Sequence, residues 1–224
     1  MCFSATASFT ASALLIPAGI YCLREARKSQ REYLPIAGCP FFFGIQQVFE
    51  GLLWLGIGSN KLILIHYSSL VFLFFSQFFW LFWTPFSAFS LESNKLIKRI
   101  LMIFMIVGFF YGALLYIPLL FDDNLLNIQV LERSIDYTTT FILNDLFPKN
   151  FSFLFYAFIL LGSLFISSNR SLNYLGGLLF LSALVTYIYF IYAFISVWCF
   201  FAAILSSYLI YTINKVSRVN YRKI

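Results

Sequence analysis

The sequence predicts an all-α polytopic membrane protein, a single domain over 1–224 built as a bundle of seven transmembrane helices. Three observations carry this. Hydrophobic residues make up 61% of the chain and charged residues 11%, with a mean hydropathy of +0.87. Soluble domains carry about 25% charged residues, and one soluble core cannot hide this much apolar surface. Apolar runs long enough to cross a hydrocarbon core, about 20 residues, recur along the chain. The basic residues then fall in alternate connections between those runs.

The first span is expected near 5–23. It has no basic region before its apolar stretch, so it does not read as a cleaved signal peptide. Arg24, Arg27, Lys28 and Arg31 follow it. The second span is expected near 34–57. At its start Pro35-Ile36-Ala37-Gly38-Cys39 resembles a lipoprotein cleavage box. The apolar stretch before Cys39 is too short for the ~7–15-residue core of such a signal. The third and fourth spans are expected near 63–86 and 97–120, with Lys95, Lys98 and Arg99 between them. Pro17, Pro40 and Pro85 fall inside spans and Pro118 near an end, where each removes a helical N–H. They are expected mainly to kink the helices. Gly108 and Gly112 give the fourth span a GxxxG face suited to close helix packing.

The connection 122–150 is acidic and is the one sizeable soluble element. Its apolar periodicity predicts one or two short helices lying on the membrane surface or capping the bundle. The fifth, sixth and seventh spans are expected near 151–168, 172–190 and 193–213. The stretch 172–213 carries no charge and is about twice one span, so a tight hairpin is expected near 190–193. Odd-numbered connections and the C-terminal tail hold twelve Lys and Arg, even-numbered connections three. The positive-inside rule then puts the N-terminus outside and the C-terminus in the cytoplasm, in a cytoplasmic (inner) membrane. The net charge of +6 is thereby a membrane-face feature that meets anionic lipid, not a nucleic-acid site.

Within the second span, FGIQQVFEGLLW (residues 43–54) places Gln46, Gln47, Glu50 and Trp54 along one helical stripe. A carboxyl in a span costs at least ~2.5–3.5 kcal/mol on insertion scales, so the stripe should face the protein interior. Counting residues puts Glu50 in the outer half of the membrane. His66, Tyr116, Ser196, Trp198, Cys199 and Cys2 are expected at a similar depth. A carboxyl so placed can carry a proton, accept one from a substrate or pair with a bound cation. The candidate catalytic residues are Glu50, Cys2 and His66. The candidate ligand- or ion-binding residues are Glu50, Gln46, Gln47, Trp54, Trp198, Cys199, Ser196 and Tyr116. The four cysteines show neither metal-ligand spacing nor a disulfide framework, although a Cys2–Cys199 bridge is open. One histidine cannot make a three-His zinc site, and the absence of lysine from the last span rules out a retinal Schiff base there. No metal site and no cofactor are implied.

The opening Met1-Cys2-Phe3-Ser4-Ala5-Thr6-Ala7-Ser8-Phe9 resembles the start of a family of uncharacterised bacterial seven-span membrane proteins. Phe43-Gly44-Ile45-Gln46-Gln47 with Glu50-Gly51 and Trp54 is similar to a second block of that family. Ser196-Val197-Trp198-Cys199-Phe200-Phe201-Ala202-Ala203 with Ser206 is similar to a third. The resemblance implies a fold and no activity. The functional expectation is a channel, a transporter or a protein that binds a proton, a cation or a small molecule around Glu50. An intramembrane enzyme using Glu50 with Cys2 or His66, and a structural or sensory membrane component, are the alternatives. The expected partner is the lipid bilayer, and an oligomer is compatible with the sequence.

Overall fold

The computed structural model describes residues 4–131, 134–139 and 149–221. Six helical segments are long and apolar enough to cross a membrane: Ala5–Ser29, Arg31–Gly58, Leu62–Leu91, Lys95–Leu120, Arg170–Tyr189 and Ile191–Arg218. The fifth expected span is the shorter apolar helix Phe151–Ile166, so crossing length is present in six of the seven. The long helices leave large apolar side chains exposed, among them Leu14, Phe110, Leu181 and Ile188. Lipid tails, unlike water, accommodate such a surface without cost, and the chain is a multi-pass membrane protein. It divides into two compact units, Met1–Phe72 with Cys199–Ile224, and Leu73–Trp198.

In the first unit, α1 (Ala5–Ser29) starts at Ser4, whose hydroxyl accepts from the Ala7 N–H at 3.2 Å. A 3-10 turn (Arg31–Tyr33) and a short α2 (Leu34–Ala37) lead into α3 (Cys39–Gly58). Pro40, expected inside a span, lies within the spanning segment Arg31–Gly58, in the first turn of α3. There the missing N–H has no intrahelical partner to lose. Pro17 does lie inside α1. At the far end of α3, Asn60 takes φ 53. Its N–H reaches the Ile57 carbonyl at 3.3 Å, and the Lys61 N–H reaches Gly56 at 3.0 Å. This paired closure satisfies the last carbonyls and turns the chain into α4 (Leu62–Leu73).

Glycines let α1 and α3 touch backbone to backbone. A Cβ on Gly19 would collide with the backbone of Phe41, one on Gly44 with Ile16, and one on Gly51 with the Phe9 ring. These three approaches share one antiparallel register, which brings Ser12 level with Val48, next to Gln47, and Ser8 level with Leu52, two residues from Glu50. The chain returns to this unit at Cys199, part-way along α9 (Phe194–Leu205), and ends in α10 (Tyr208–Tyr221). Cys22, Ala26, Ala37 and Ile213 form a shared core between α1, α2 and α10. Along the same seam the Tyr21 hydroxyl donates to Asn214 Oδ1 at 2.6 Å and the Ser217 hydroxyl to Glu25 Oε2 at 3.1 Å.

In the second unit a π-helical stretch, Phe74–Phe79, runs into α5 (Trp80–Leu91). Pro85 is inside α5. Next comes α6 (Lys95–Tyr116), then a 3-10 turn, Ile117–Leu120, that contains Pro118. Gly108 lies against the Leu81 carbonyl and Gly112 against Phe78, so the GxxxG face packs α6 onto its own neighbour.

The acidic connection differs from expectation. Its first part is a β-hairpin, β1 (Leu126–Leu131) paired antiparallel with β2 (Ser134–Thr139), with Ile128 opposite Tyr137 and Val130 opposite Ile135. Leu126, Ile128 and Val130 alternate with Asn127 and Gln129, which is a period of two rather than 3.6, and the β-branched residues favour a strand. Ile135 and Tyr137 are buried. The helix expected over 138–147 starts at the end of β2 and otherwise lies outside the described residues.

After α7 (Lys149–Ile166) and α8 (Arg170–Tyr189), the chain breaks at Phe190 and makes a 3-10 turn over Ile191–Ala193. This is the hairpin position expected from length alone.

Candidate functional site

The second helix of the first unit was expected to bury a polar stripe, and α3 holds Gln46, Gln47 and Glu50 at 0% exposure each. Their i, i+1, i+4 spacing turns all three away from lipid. The thiol of Cys199 lies beside the Gln46 side chain and within electrostatic range of the Glu50 carboxyl. On α1, Ser8 and Ser12 are buried at the level set by the glycine register. The unit therefore gathers a carboxyl, two amides, a thiol and two hydroxyls in otherwise apolar helices.

Gln47 is the unusual member. Neither its Oε1 nor its Nε2 has a hydrogen-bond partner among the described residues, and the same holds for Ser8 Oγ. A buried amide left unsatisfied costs about 1–3 kcal/mol, so buried polar groups ordinarily meet protein, water or ligand. The oxygens of Glu50, Gln46, Gln47 and Ser8 are the hard donors that a small cation takes. Among the described residues no group of three or more His, Cys, Asp or Glu could hold a metal ion.

The other expected site residues are distributed as follows. Trp54 is half-buried on α3. His66 is half-buried on α4, its ring edge-on to Tyr67 at 5.4 Å between centroids. Cys2 lies outside the described residues. Cys199 is a buried free thiol. Ser196, Trp198 and Tyr116 belong to the second unit. Ser196 is fully buried. The Trp198 indole N–H donates to the Leu179 carbonyl at 3.3 Å, and its ring packs on Phe194 and Tyr156. Tyr116 packs edge-on to Phe74.

Two residues of the second unit escaped the sequence reading. Gln77 sits in the π-helical stretch, is buried, and has neither amide atom partnered among the described residues. The rule that singled out Gln46 and Gln47, an amide inside an apolar span, also selects it. Glu92 lies between two spans and is only 4% exposed. Its Oε1 accepts from the N–H groups of Ser93 at 3.0 Å and Asn94 at 2.9 Å, and its Oε2 from Ser168 at 2.8 Å. It thus ties the α5–α6 turn to the α7–α8 turn. Burial pushes its pKa up, but hydrogen bonds from Ser168, Asn94 and Ser93 outweigh this and hold it below the usual range. Asn94 and Asn169 next to it cap α6 and α8. The local signal was the pairing of an acid with a helix-capping Asn.

These features define a multi-pass helical membrane protein with a buried acid, amide and thiol cluster. The chain belongs to a family of unknown function (DUF6629), whose model matches residues 1–223. No curated protein and no solved structure matches it.

Proposed function

We propose that this protein holds a proton or small cation at Glu50 and moves it across the membrane, as a channel or transporter. The observation that supports this is the company Glu50 keeps. A fully buried carboxyl shares its unit with Gln46 and Cys199 in contact, and with a Gln47 amide unpartnered among the described residues. Intramembrane acids are costly and mark ion or substrate pathways. In this reading Glu50 supplies the charge, Gln46 and Gln47 orient the bound ion or its water, and Ser8 and Ser12 line the opposing helix. The N-terminus is outside and the basic ends of the helices face the cytoplasm, on the Lys/Arg asymmetry. A cysteine introduced at 24–31 then reacts with an impermeant reagent only after the cells are opened. Labelling from outside reverses the orientation.

Binding is tested by thermal unfolding in detergent over a pH series and with added Li+, Na+, K+ or ammonium. The parent is expected to show a midpoint shift with pH above about 5, or with one cation. Glu50→Gln keeps the shape and most hydrogen-bonding capacity but cannot ionise. It should be at least as stable, because a neutral amide is easier to bury than a charge, and should lose the shift. An identical shift in both proteins refutes the assignment to Glu50.

A further inference from the structure

The last turns of α1 and the 3-10 turn after it form an open groove of about 480 Å³ lined by Leu23, Arg24, Arg27, Arg31 and Leu34. The three arginines, at i, i+3 and i+7, are exposed, and the two leucines are half-buried. Nearby acids do not neutralise them. Glu25 is engaged elsewhere, with Oε1 3.4 Å from Lys28 Nζ and Oε2 accepting from Ser217. Glu32 is exposed in the 3-10 turn. Among the described residues, no ion pair joins a carboxylate to any of the three arginines.

Three uncompensated guanidinium groups around one cavity form an anion site, and the planar donor fork of arginine matches phosphate oxygens in pairs. Two further facts select the kind of phosphate. The groove lies at the end of a segment able to cross a membrane, Ala5–Ser29, the depth at which phospholipid headgroups sit. Its walls also include two leucine side chains, which a water-borne anion has no use for. We propose that this groove binds the headgroup of an anionic phospholipid, with phosphate on Arg24, Arg27 and Arg31 and the start of an acyl chain against Leu23 and Leu34.

The second unit supplies a charge-matched control. Phe89, Lys95, Lys98, Arg99 and Met102 line a smaller groove of about 200 Å³. Lys98 Nζ there sits 4.9 Å from the centre of the Phe89 ring.

The test is native mass spectrometry of the full chain in neutral detergent, titrated with phosphatidylglycerol, phosphatidylcholine or inorganic phosphate. Parent protein is compared with R24Q/R27Q/R31Q and with K95Q/K98Q/R99Q, each of which removes three positive charges. The arginine variant should lose more than about tenfold in phosphatidylglycerol retention, and the control less than about threefold. Phosphatidylcholine should be held weakly by all three. Equal losses in the two variants would reduce the effect to diffuse surface charge and overturn the site. Equal retention of the two lipids, or full displacement of phosphatidylglycerol by inorganic phosphate, would also overturn it. If the triple variant does not fold, Arg27→Gln alone should lower retention by about threefold, and unchanged retention rejects the proposal.

Discussion

Glu92 and Glu50 are both buried carboxyls in unlike surroundings. Glu92 accepts three backbone N–H groups from two turns, which favours its charged form and fixes it as a staple. Its folded pKa is depressed, so its contribution is complete above the unfolded value, about 4.3. That contribution is lost as pH falls through the folded value. The part of the unfolding midpoint that Glu92 supplies should therefore be level from neutral pH to about pH 5 and drop below about pH 4. Glu92→Gln should destabilise at neutral pH by about 1–3 kcal/mol and flatten the acid limb. A variant that melts with the parent at pH 7 removes the staple. Trp198 makes a second contrast. Its indole N–H already serves Leu179, so Trp198→Phe should lower stability by about 1 kcal/mol and leave the response to pH or cation unchanged. The burial of Glu50 was legible in sequence because a carboxyl stands out in an apolar run. The bond of Trp198 to Leu179 was not, because an indole in a span looks alike whether it meets a ligand or a backbone carbonyl.

At the level of elements, helix identity follows from long apolar runs, and helix contact follows from glycine. Gly19 has the backbone of Phe41 where a Cβ would stand, whereas Gly177 on α8 has nothing within 4 Å of that position. Gly19→Ala must push α1 off α3 and should cost several kcal/mol, as overpacking in a close contact does. Gly177→Ala meets no neighbour and should be neutral, or stabilising by up to about 1 kcal/mol through helix propensity. Comparing their unfolding midpoints checks the α1–α3 register, and equal effects contradict it. The β-hairpin shows where the sequence reading went astray. Leu126–Leu131 and Ser134–Thr139 carry a two-residue alternation, but six residues of it also match part of a helical pattern. The membrane setting tilted the reading towards helix. The π-helical stretch Phe74–Phe79 left no compositional mark at all, since FFSQFF fits an ordinary span.

Over the whole molecule, membrane insertion was legible from composition, and crossing length for six helices follows from run length. Which polar residues share a unit was not legible, because depth counted along a span says nothing of azimuth. Ser196 and Trp198 precede Cys199 by one to three residues, yet the unit boundary falls between Trp198 and Cys199. The proposed activity turns on Glu50 and is tested most directly by ion flux. Purified protein is reconstituted in liposomes carrying an internal pH-sensitive dye, and flux is followed under an imposed pH or cation gradient. The account predicts flux above protein-free liposomes for the parent and background flux for Glu50→Gln, with both proteins equally incorporated and folded. Equal flux from parent and Glu50→Gln, under the gradient that drives the parent, would contradict it.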